Sequence, residues 1–265
     1  MAAQNDPSRR SRDIAGHAIK PGHLFWMPAG ATWLNRDKPR PFVLASQSGE
    51  LATLVYGSTQ ETEKSAGAAC VEVAPVLHGL NRNALRTRTR FYPGTLLPAL
   101  LQRLPPPSGF LGRSLGELRV ALRLALGIGR GSCLDPYAPA GSCRGRLVYL
   151  AAALARGLGA STAIVLTEPA YSAQRNYQII LPVFAGFNRE IDRFDLLLSG
   201  RDWLQGVPGA TGRVLLPLPI TQSVWHADDI ARETEYVVDD ETLREIDRRL
   251  CDYFSLAPPD PHDGE

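Results

Sequence analysis

The sequence predicts a mainly β fold with terminal helices, arranged as two consecutive units. The chain has 265 residues, more than the roughly 150 of one typical domain and enough for two modest ones. Its 21 prolines and 24 glycines favour frequent turns over long helices, which argues against a helical bundle or a coiled coil. Hydrophobic residues make up 44% of the chain, so each unit has enough apolar side chains to bury a core.

The first unit begins with short apolar runs that are separated by turn residues. The runs lie at His23–Met27, 41–45, 51–56 and 70–74, and their close spacing predicts a small barrel. A helix is predicted next, because Ser114 and Glu117 have the spacing of a capping box and apolar residues then recur at helical spacing up to Gly127. Its apolar face consists of Leu115, Leu118, Leu122, Ala125 and Leu126.

The second unit repeats this plan of strands followed by a closing helix. Strand-like runs lie at 147–150, 163–167, 177–182, 213–218 and 234–238. Asp239 or Asp240 is in position to cap the final helix. One face of that helix is lined by Leu243, Ile246, Leu250 and Tyr253 or Phe254. The units thus form an internal repeat, visible in the pattern of elements rather than in residue identities.

Composition indicates where the units begin and end. Residues 1–19 are polar and arginine-containing and cannot bury enough surface to fold, which predicts a mobile basic arm. The stretch 127–142 is rich in Gly, Pro and Ser, as expected for a boundary. We therefore expect the first unit at 20–130, a linker at 131–143, the second unit at 144–256 and a disordered tail at 257–265.

Charge distinguishes the two halves. Residues 1–143 carry 17 Lys and Arg against 9 Asp and Glu, a net charge of +8, whereas residues 144–265 carry 12 against 18, a net charge of −6. The basic half is expected to meet a polyanion such as RNA. A basic face that is only solvated is the alternative.

Other features exclude several classes of protein. No apolar run approaches the ~20 residues of a membrane span, and the polar start lacks a signal-peptide core, so a soluble, cytoplasmic protein without a membrane partner is expected. The cysteines follow no zinc-binding spacing and are interpreted as reduced thiols, with a facultative disulfide between Cys133 and Cys143 as the alternative. His23, His78 and His226 are isolated, so we expect no metal site and no cofactor.

Several short motifs of the first unit occur in a familiar order. The run from Pro21 to Trp26 opens a strand, Arg40-Pro41 begins a second apolar strand, and Ser58-Thr59-Gln60 ends the third. These motifs resemble the MazF/PemK toxins of toxin–antitoxin modules. Residues 163–173 and 177–182, with the closing helix, resemble a second copy of the same family, so the chain resembles two tandem copies of which the second is degenerate.

The resemblance implies two tandem SH3-like barrels of the MazF, PemK and CcdB type, and metal-independent cleavage of single-stranded RNA by attack of the 2′-hydroxyl. Arg40 matches the catalytic arginine of the family, and a guanidinium suits this role because it is permanently charged and grips two phosphoryl oxygens. Ser58 stands where the family usually carries threonine, with Thr59 as the competing candidate. Gln60 is expected to contact phosphate or base.

Further RNA contacts are expected from basic and aromatic side chains. Arg86, Arg88 and Arg90 occupy alternate positions, so a strand would place them on one face. Trp26 and Lys38 complete the predicted RNA-binding set. A solvated loop is the alternative interpretation of the arginines.

The second unit lacks this set of residues. Ser161-Thr162 stands near the Arg-Pro position, and Val183-Phe184-Ala185 replaces the Ser/Thr-x-Gln element. The second unit is therefore expected to be catalytically silent and to pack on the first as an internal pseudo-dimer.

The resemblance also implies control by an antitoxin protein. Two other functions stay open at this point. One is a catalytically inactive tandem barrel that binds protein or RNA. The other is a CcdB-like inhibitor of gyrase, since one fold serves several functions.

Overall fold

The computed structural model describes residues 18–32, 37–58, 70–73, 89–131, 144–152, 155–156, 159–167, 177–184, 194–198, 214–215, 220–223 and 230–257. This part of the chain is mostly β, with one helix after each of two antiparallel sheets.

The first sheet has six strands in the order β4-β5-β3-β2-β1-β6. Helix α1 follows it at Ser114–Ala125, and a short 3-10 turn at Leu101–Arg103 follows β5. The strands are β1 His23–Met27, β2 Arg40–Ser48, β3 Leu51–Ser58, β4 Val71–Val73, β5 Thr89–Leu100 and β6 Gly109–Phe110.

The second sheet has seven strands, six of them in the order β10-β11-β9-β8-β7-β13, and β12 also pairs with β9. Helix α2 follows it at Asp240–Phe254. The strands are β7 Arg146–Leu150, β8 Thr162–Val165, β9 Tyr177–Phe184, β10 Leu196–Leu197, β11 Val214–Leu215, β12 Ile220–Ser223 and β13 Ile230–Val237.

The two sheets have the same strand order, with β7 in the place of β1, β8 of β2, β9 of β3, β10 of β4, β11 of β5 and β13 of β6. Backbone hydrogen bonds align the residues. Gly22 N donates to Leu44 O at 2.8 Å, and Gly145 N donates to Val165 O at 2.8 Å. The carbonyl groups of the two glycines also accept hydrogen bonds from residues shortly before each helix: Gly22 O accepts from Leu111 N, and Gly145 O accepts from Val238 N.

The two helices end alike. The chain turns left-handed at Gly127 after α1 (φ 63°) and at Ser255 after α2 (φ 52°). The next residue closes the cap, since Ile128 N donates to Arg123 O and Leu256 N to Cys251 O. With this alignment the buried positions of α1 match those of α2, and they pair as Leu118 with Ile246, Leu122 with Leu250, and Ala125 with Tyr253.

The helix starts differ from each other and from part of the prediction. Asp239 caps α2 as predicted, because its carboxylate accepts from Thr242 N at 2.6 Å. The predicted capping box in α1 is wrong, since the N-cap residue is Arg113, in helical conformation and without a side-chain cap. Ser114 therefore lies inside the first turn, which a backbone turn from Gly112 already begins.

Strand β5 is the main element that the sequence did not predict. It is the longest strand, with 12 residues, and contains Pro93, Gly94 and Pro98. Each of these residues disfavours a strand on local grounds. Pairing with β3 along its length and with β4 at one end nevertheless holds it extended.

The largest hydrophobic cluster contains side chains of both halves of the chain. It includes Leu24, Phe91 and Leu118 from the first half, and Leu181, Ile246 and Phe254 from the second. We expected each unit to bury a core of its own, and the structure instead gives the halves a common one. Two smaller clusters lie on the other faces of the sheets, one around Phe42 and one around Ile180.

Polar contacts cross between the halves at α2. The buried Asp247 forms an ion pair with Arg144 and accepts from Gly129 N at 3.0 Å, while Arg144 also donates to Arg130 O at 2.7 Å. The segment 127–131, which we interpreted as linker, is thus part of this contact. Burial raises the pKa of the Asp247 carboxyl, and the Arg144 guanidinium opposes that effect.

The end of α2 contacts the first sheet directly. The hydroxyl groups of Tyr253 and Thr53 are hydrogen-bonded at 3.1 Å, and Ser46 donates to the carbonyl of Tyr253. In the described part of the chain, no helix has both the length and the apolar character that a bilayer span requires.

Candidate functional site

Four polar residues form one line across the first sheet, which we call the polar row: Arg40 on β2, Ser58 on β3, Arg90 on β5 and Glu72 on β4. Ser58 is paired with Arg90, and Arg90 with Glu72. Arg40 lies opposite Ser58 when the β2–β3 register, in which Phe42 faces Tyr56, is continued to the strand ends. Residues that are directly opposite share one face of a sheet, so all four side chains lie on the same side.

Arg40 and Ser58 are in direct contact. The Arg40 guanidinium donates from Nη1 to Ser58 Oγ at 3.0 Å. Arg40 is partly exposed, whereas Ser58 is buried with 7% exposure. The Arg40 Nε atom is buried and has no hydrogen-bond partner. A buried guanidinium nitrogen without a partner is costly, and an anion bound at this point would satisfy it.

Gly57 permits this close arrangement. A Cβ atom at this position would lie 2.7 Å from the Phe91 ring and 3.0 Å from Pro41 O. Any larger residue would therefore push β3 away from β2 and β5. Glycine at this position brings Ser58 within reach of both neighbouring arginines.

Arg90 flanks Ser58 on the side opposite Arg40. Its Nε lies 3.4 Å from Glu72 Oε2, and the side chains of Arg90 and Glu72 are 20% and 31% exposed. One row further from the strand ends, Tyr56 and Tyr92 stack with ring centroids 6.1 Å apart, and Phe42 meets Tyr56 edge-on at 5.6 Å. Two cations and an aromatic pair therefore occupy neighbouring rows of one face.

The other predicted site residues do not join this group. Trp26 pairs with Pro41, whereas Met27 pairs with Arg40, so strand alternation places Trp26 on the opposite face from the polar row. The register thus separates Trp26 from the polar row, and its contact with RNA stays a prediction. Lys38 is partly exposed and precedes Arg40 by two residues. Thr59, Gln60, Arg86 and Arg88 lie outside the described residues.

The second sheet has apolar residues at nearly every position of the same row. Leu150 N donates to Ser161 O at 2.9 Å, so Ser161 stands where Arg40 stands opposite Met27. Phe184 pairs with Val214 and Val214 with Leu197, which places them at the positions of Ser58, Arg90 and Glu72. The register assigns Phe184, rather than the predicted Val183, to the position of Ser58. The second sheet cannot form the same site.

A cavity of about 390 Å³ lies against β3 and β5, lined there by Leu51, Leu54 and residues 97–100. It shares Met27 with the strand pair that carries Arg40, but none of the four polar-row residues lines it. Its walls are mostly apolar, and Thr32 and Arg103 are its polar side chains. Among the described residues, no three or more His, Cys, Asp or Glu side chains are grouped as metal ligands would be.

The polar row has the chemical groups that bind and activate a phosphodiester. Two guanidinium groups flank one hydroxyl, so a phosphate placed over Ser58 would lie between two permanent positive charges. Strands in a sheet are about 4.8 Å apart, so the Cα atoms of Arg40 and Arg90 are separated by roughly 10 Å. Both long side chains can reach one phosphate across that distance.

Sequence reasoning identified Arg40, Ser58 and Arg90 but missed Glu72 and Tyr92. Glu72 alternates with Val71 and Val73, so the sequence did indicate a strand with an outward carboxylate. Its position opposite Arg90 depends on the β4–β5 register across an intervening segment, which no local pattern specifies.

No protein-family model and no curated protein matches the chain. Among solved structures, it is similar to an endoribonuclease in complex with its cognate antitoxin from a mycobacterial species, with 17% identity and a TM-score of 0.33 over 44% of this chain and 97% of that one. It is also similar to the toxin MazF-mt6 of Mycobacterium tuberculosis, with 17% identity and a TM-score of 0.28 over 39% of this chain and 93% of that one.

Proposed function

We propose that this protein is a toxin-like endoribonuclease that cleaves single-stranded RNA without a metal ion, by attack of the 2′-hydroxyl on the neighbouring phosphorus. The observation that carries the proposal is the 3.0 Å contact between Arg40 and Ser58, with Arg90 opposite Ser58 on the next strand. Such a site stabilises negative charge on a phosphoryl group by positioned donors.

The electrostatics of the first half support an RNA substrate. Negative charge grows on the phosphoryl oxygens in the transition state, and the guanidinium groups of Arg40 and Arg90 are in place before it does. Donors that are already positioned need no reorganisation during the reaction, which makes them effective. The net charge of +8 on residues 1–143 adds attraction for the rest of the strand.

We further propose that the chain is an internal pseudo-dimer of two tandem copies of one barrel-like unit. The identical strand order, the matched Gly22 and Gly145 bonds and the matched helix caps support the duplication. The common hydrophobic cluster and the hydrogen bonds from Gly129 N to Asp247 and from Arg144 to Arg130 O support a fixed packing of the copies. In this arrangement the first copy cleaves RNA and the second acts as its structural partner.

The charge of the first half also suits a protein inhibitor. We propose an acidic antitoxin-type partner that covers the polar row, because the same arginines that attract RNA attract carboxylates. RNA and the partner would then compete for one surface, and added salt would weaken both complexes.

The proposal is tested by cleavage of a single-stranded oligoribonucleotide in the presence of EDTA. Arg40→Ala should lower the rate on the order of 10²- to 10³-fold, which is typical for removal of one transition-state donor. Ser58→Ala should lower it less or comparably. Arg113→Ala is the matched control, because Arg113 is exposed at the start of α1. This variant should cleave RNA at the native rate.

Three results would contradict this assignment: an unchanged rate in Arg40→Ala, loss of native activity in EDTA, or no cleavage by the native protein. If RNA binds without being cleaved, the chain is an RNA-binding protein. In that case log K should fall with log salt at a slope of about −3 for roughly four contacted phosphates. If RNA does not bind below millimolar concentration, a protein target such as gyrase becomes the function to test.

A further inference from the structure

Glu72 is the carboxylate of the polar row, and the cleavage proposed above leaves it without a role. It lies on β4 next to Arg90, with Oε2 at 3.4 Å from Arg90 Nε. Its side chain is 31% exposed, so the carboxylate faces solvent as well as the arginine. A substrate that reaches Arg90 therefore also reaches Glu72.

The groups around Glu72 define its electrostatic environment. Val71 and Val73 on either side of it belong to the common hydrophobic cluster that includes residues of α1, so Glu72 faces away from that helix. In the described strands, the charged groups that share its face of the sheet are Arg90 on β5 and, two strands further, Arg40 on β2. Both are cations, which favour the ionised carboxylate.

Cleavage by a 2′-hydroxyl needs a group that accepts its proton, and neither arginine can do so because a guanidinium stays protonated. The other acids that the structure describes near this part of the first sheet are poorly placed. Asp37 is exposed and lies outside the strand, three residues before Arg40, and Glu50 lies in the turn at the far end of β3. Among the described residues, Glu72 is the carboxylate that the strand register places directly opposite Arg90, with Ser58 on the other side of that arginine.

We infer that Glu72 is the general base of the proposed RNA cleavage. The inference rests on the proposed function, to which it adds the route of the proton. With a phosphate between Arg40 and Arg90, the 2′-hydroxyl on the β4 side of the phosphate lies toward Glu72. The second sheet has Leu197 at this position, so the base is missing there together with the arginines.

The step balances without an added reactant other than water. Glu72 takes the proton of the 2′-hydroxyl while the 2′-oxygen forms a bond to phosphorus and the bond from phosphorus to the 5′-oxygen breaks. The 5′-oxygen leaves with that electron pair and takes a proton from water, and the protonated Glu72 returns its proton to the resulting hydroxide. The products are a 2′,3′-cyclic phosphate end and a 5′-hydroxyl end.

The test compares Glu72→Gln, Glu72→Asp and Glu72→Ala in the full-length protein. Glutamine keeps an oxygen that accepts from Arg90 but cannot take a proton. Glu72→Gln should therefore lower kcat on the order of 10²- to 10⁴-fold with KM changed little, and Glu72→Asp should recover part of the loss. Glu117→Gln, an exposed acid on α1, is the matched control and should cleave at the native rate.

Two further measurements separate proton transfer from support of Arg90. In the native protein, kcat should increase with pH at acidic pH as the base becomes deprotonated. In Glu72→Gln, kcat should not depend on pH in that range. Binding of a 2′-O-methyl oligoribonucleotide, which cannot be cleaved, should change less than about threefold in Glu72→Gln.

The possible results distinguish the two proposals. If the native protein cleaves and Glu72→Gln cleaves equally well, Glu72 is not the base, while the proposed function stands. If only Glu72→Ala loses activity, Glu72 merely holds Arg90 and the inference is overturned. If the native protein does not cleave RNA, the proposed function fails and the inference fails with it.

Discussion

The two sheets have one topology but opposite chemistry along the same row. In the first sheet the row reads Arg40, Ser58, Arg90, Glu72, and in the second it reads Ser161, Phe184, Val214, Leu197. The backbone bonds of Gly22 and Gly145, which align the two sheets, are matched in both halves. The row can therefore be replaced without change to the strand order, because the order depends on the backbone and on the buried positions of the opposite face.

The two helices also differ in the chemistry of their solvent-exposed faces. Val120 and Leu124 of α1 are 65% and 64% exposed, one turn apart. The equivalent residues of α2 are Arg248 and Asp252, which form an exposed ion pair at 3.6 Å. The three aligned buried pairs, Leu118 with Ile246, Leu122 with Leu250 and Ala125 with Tyr253, are apolar or aromatic in both helices. The two helices thus match at these buried positions and differ where each faces solvent.

The largest expected effect is obtained by separating the halves. Residues 18–131 expressed alone should show no cooperative urea unfolding, because the cluster that buries Leu24 and Phe91 also needs Leu181, Ile246 and Phe254 of the second half. Circular dichroism and urea titration measure this, and co-expression with residues 144–257 should restore the transition. A cooperative transition in residues 18–131 alone would show that the first half has a sufficient core of its own.

The next largest effect is expected at the buried ion pair of the second half, whose two residues also hydrogen-bond to Gly129 and Arg130 of the first unit. Asp247→Ala leaves the Arg144 guanidinium buried without its partner and should lower the free energy of unfolding by about 3–5 kcal/mol. The control is Asp252→Ala, which breaks an exposed pair and should cost about 0–1 kcal/mol. Equal losses in the two variants, measured by urea unfolding, would mean that the buried pair stabilises the protein no more than an exposed pair does.

A smaller effect is expected where α2 meets the first sheet. Tyr253→Phe removes the hydrogen bond to Thr53 and should cost about 0.5–1.5 kcal/mol. Burial raises the pKa of Tyr253 to about 12. The unfolded chain loses this phenol proton near pH 10, before the folded protein does, so Tyr253 should make stability fall as the pH rises from about 10 to 12.

Urea unfolding at pH 9 and at pH 11 measures this contribution. Tyr253→Phe should lose less stability between the two pH values than the native protein does. A steeper loss in the variant would contradict the sign derived from the raised pKa.

The smallest effect is expected from exchange of the outer faces of the helices. Val120→Arg with Leu124→Asp gives α1 the ion pair of α2 and should change the free energy of unfolding by about 0.5 kcal/mol or less. Arg248→Val with Asp252→Leu is the reciprocal variant and should be similarly mild. A loss above about 2 kcal/mol in either variant, by urea unfolding, would show that this face is not interchangeable.

Local signals in the sequence predicted the elements that depend on neighbouring residues. Strand β1 was predicted with its exact bounds, the Asp239 cap is present, and the predicted apolar faces of both helices are the buried ones. Strand β5 was missed because Pro93 and Pro98 disfavour a strand locally. The predicted capping box is absent because the helix begins at Ser114 itself, which makes Arg113, rather than Ser114, the N-cap residue. In both cases another contact outweighs the local conformational preference: strand pairing in β5, and the backbone turn from Gly112 before α1.

The sequence by itself determined the β-rich character, the plan of strands followed by a helix in each half, the opposite charges of the halves and the candidate pair Arg40 and Ser58. Those properties follow from residue type, periodicity and short spacing along the chain. Only the tertiary structure decided that Arg90 and Glu72 join that pair, that Trp26 faces away, and that both halves share one core. The reason is that strand register and core packing connect residues far apart in sequence, and a slip of one residue would turn every side chain to the other face.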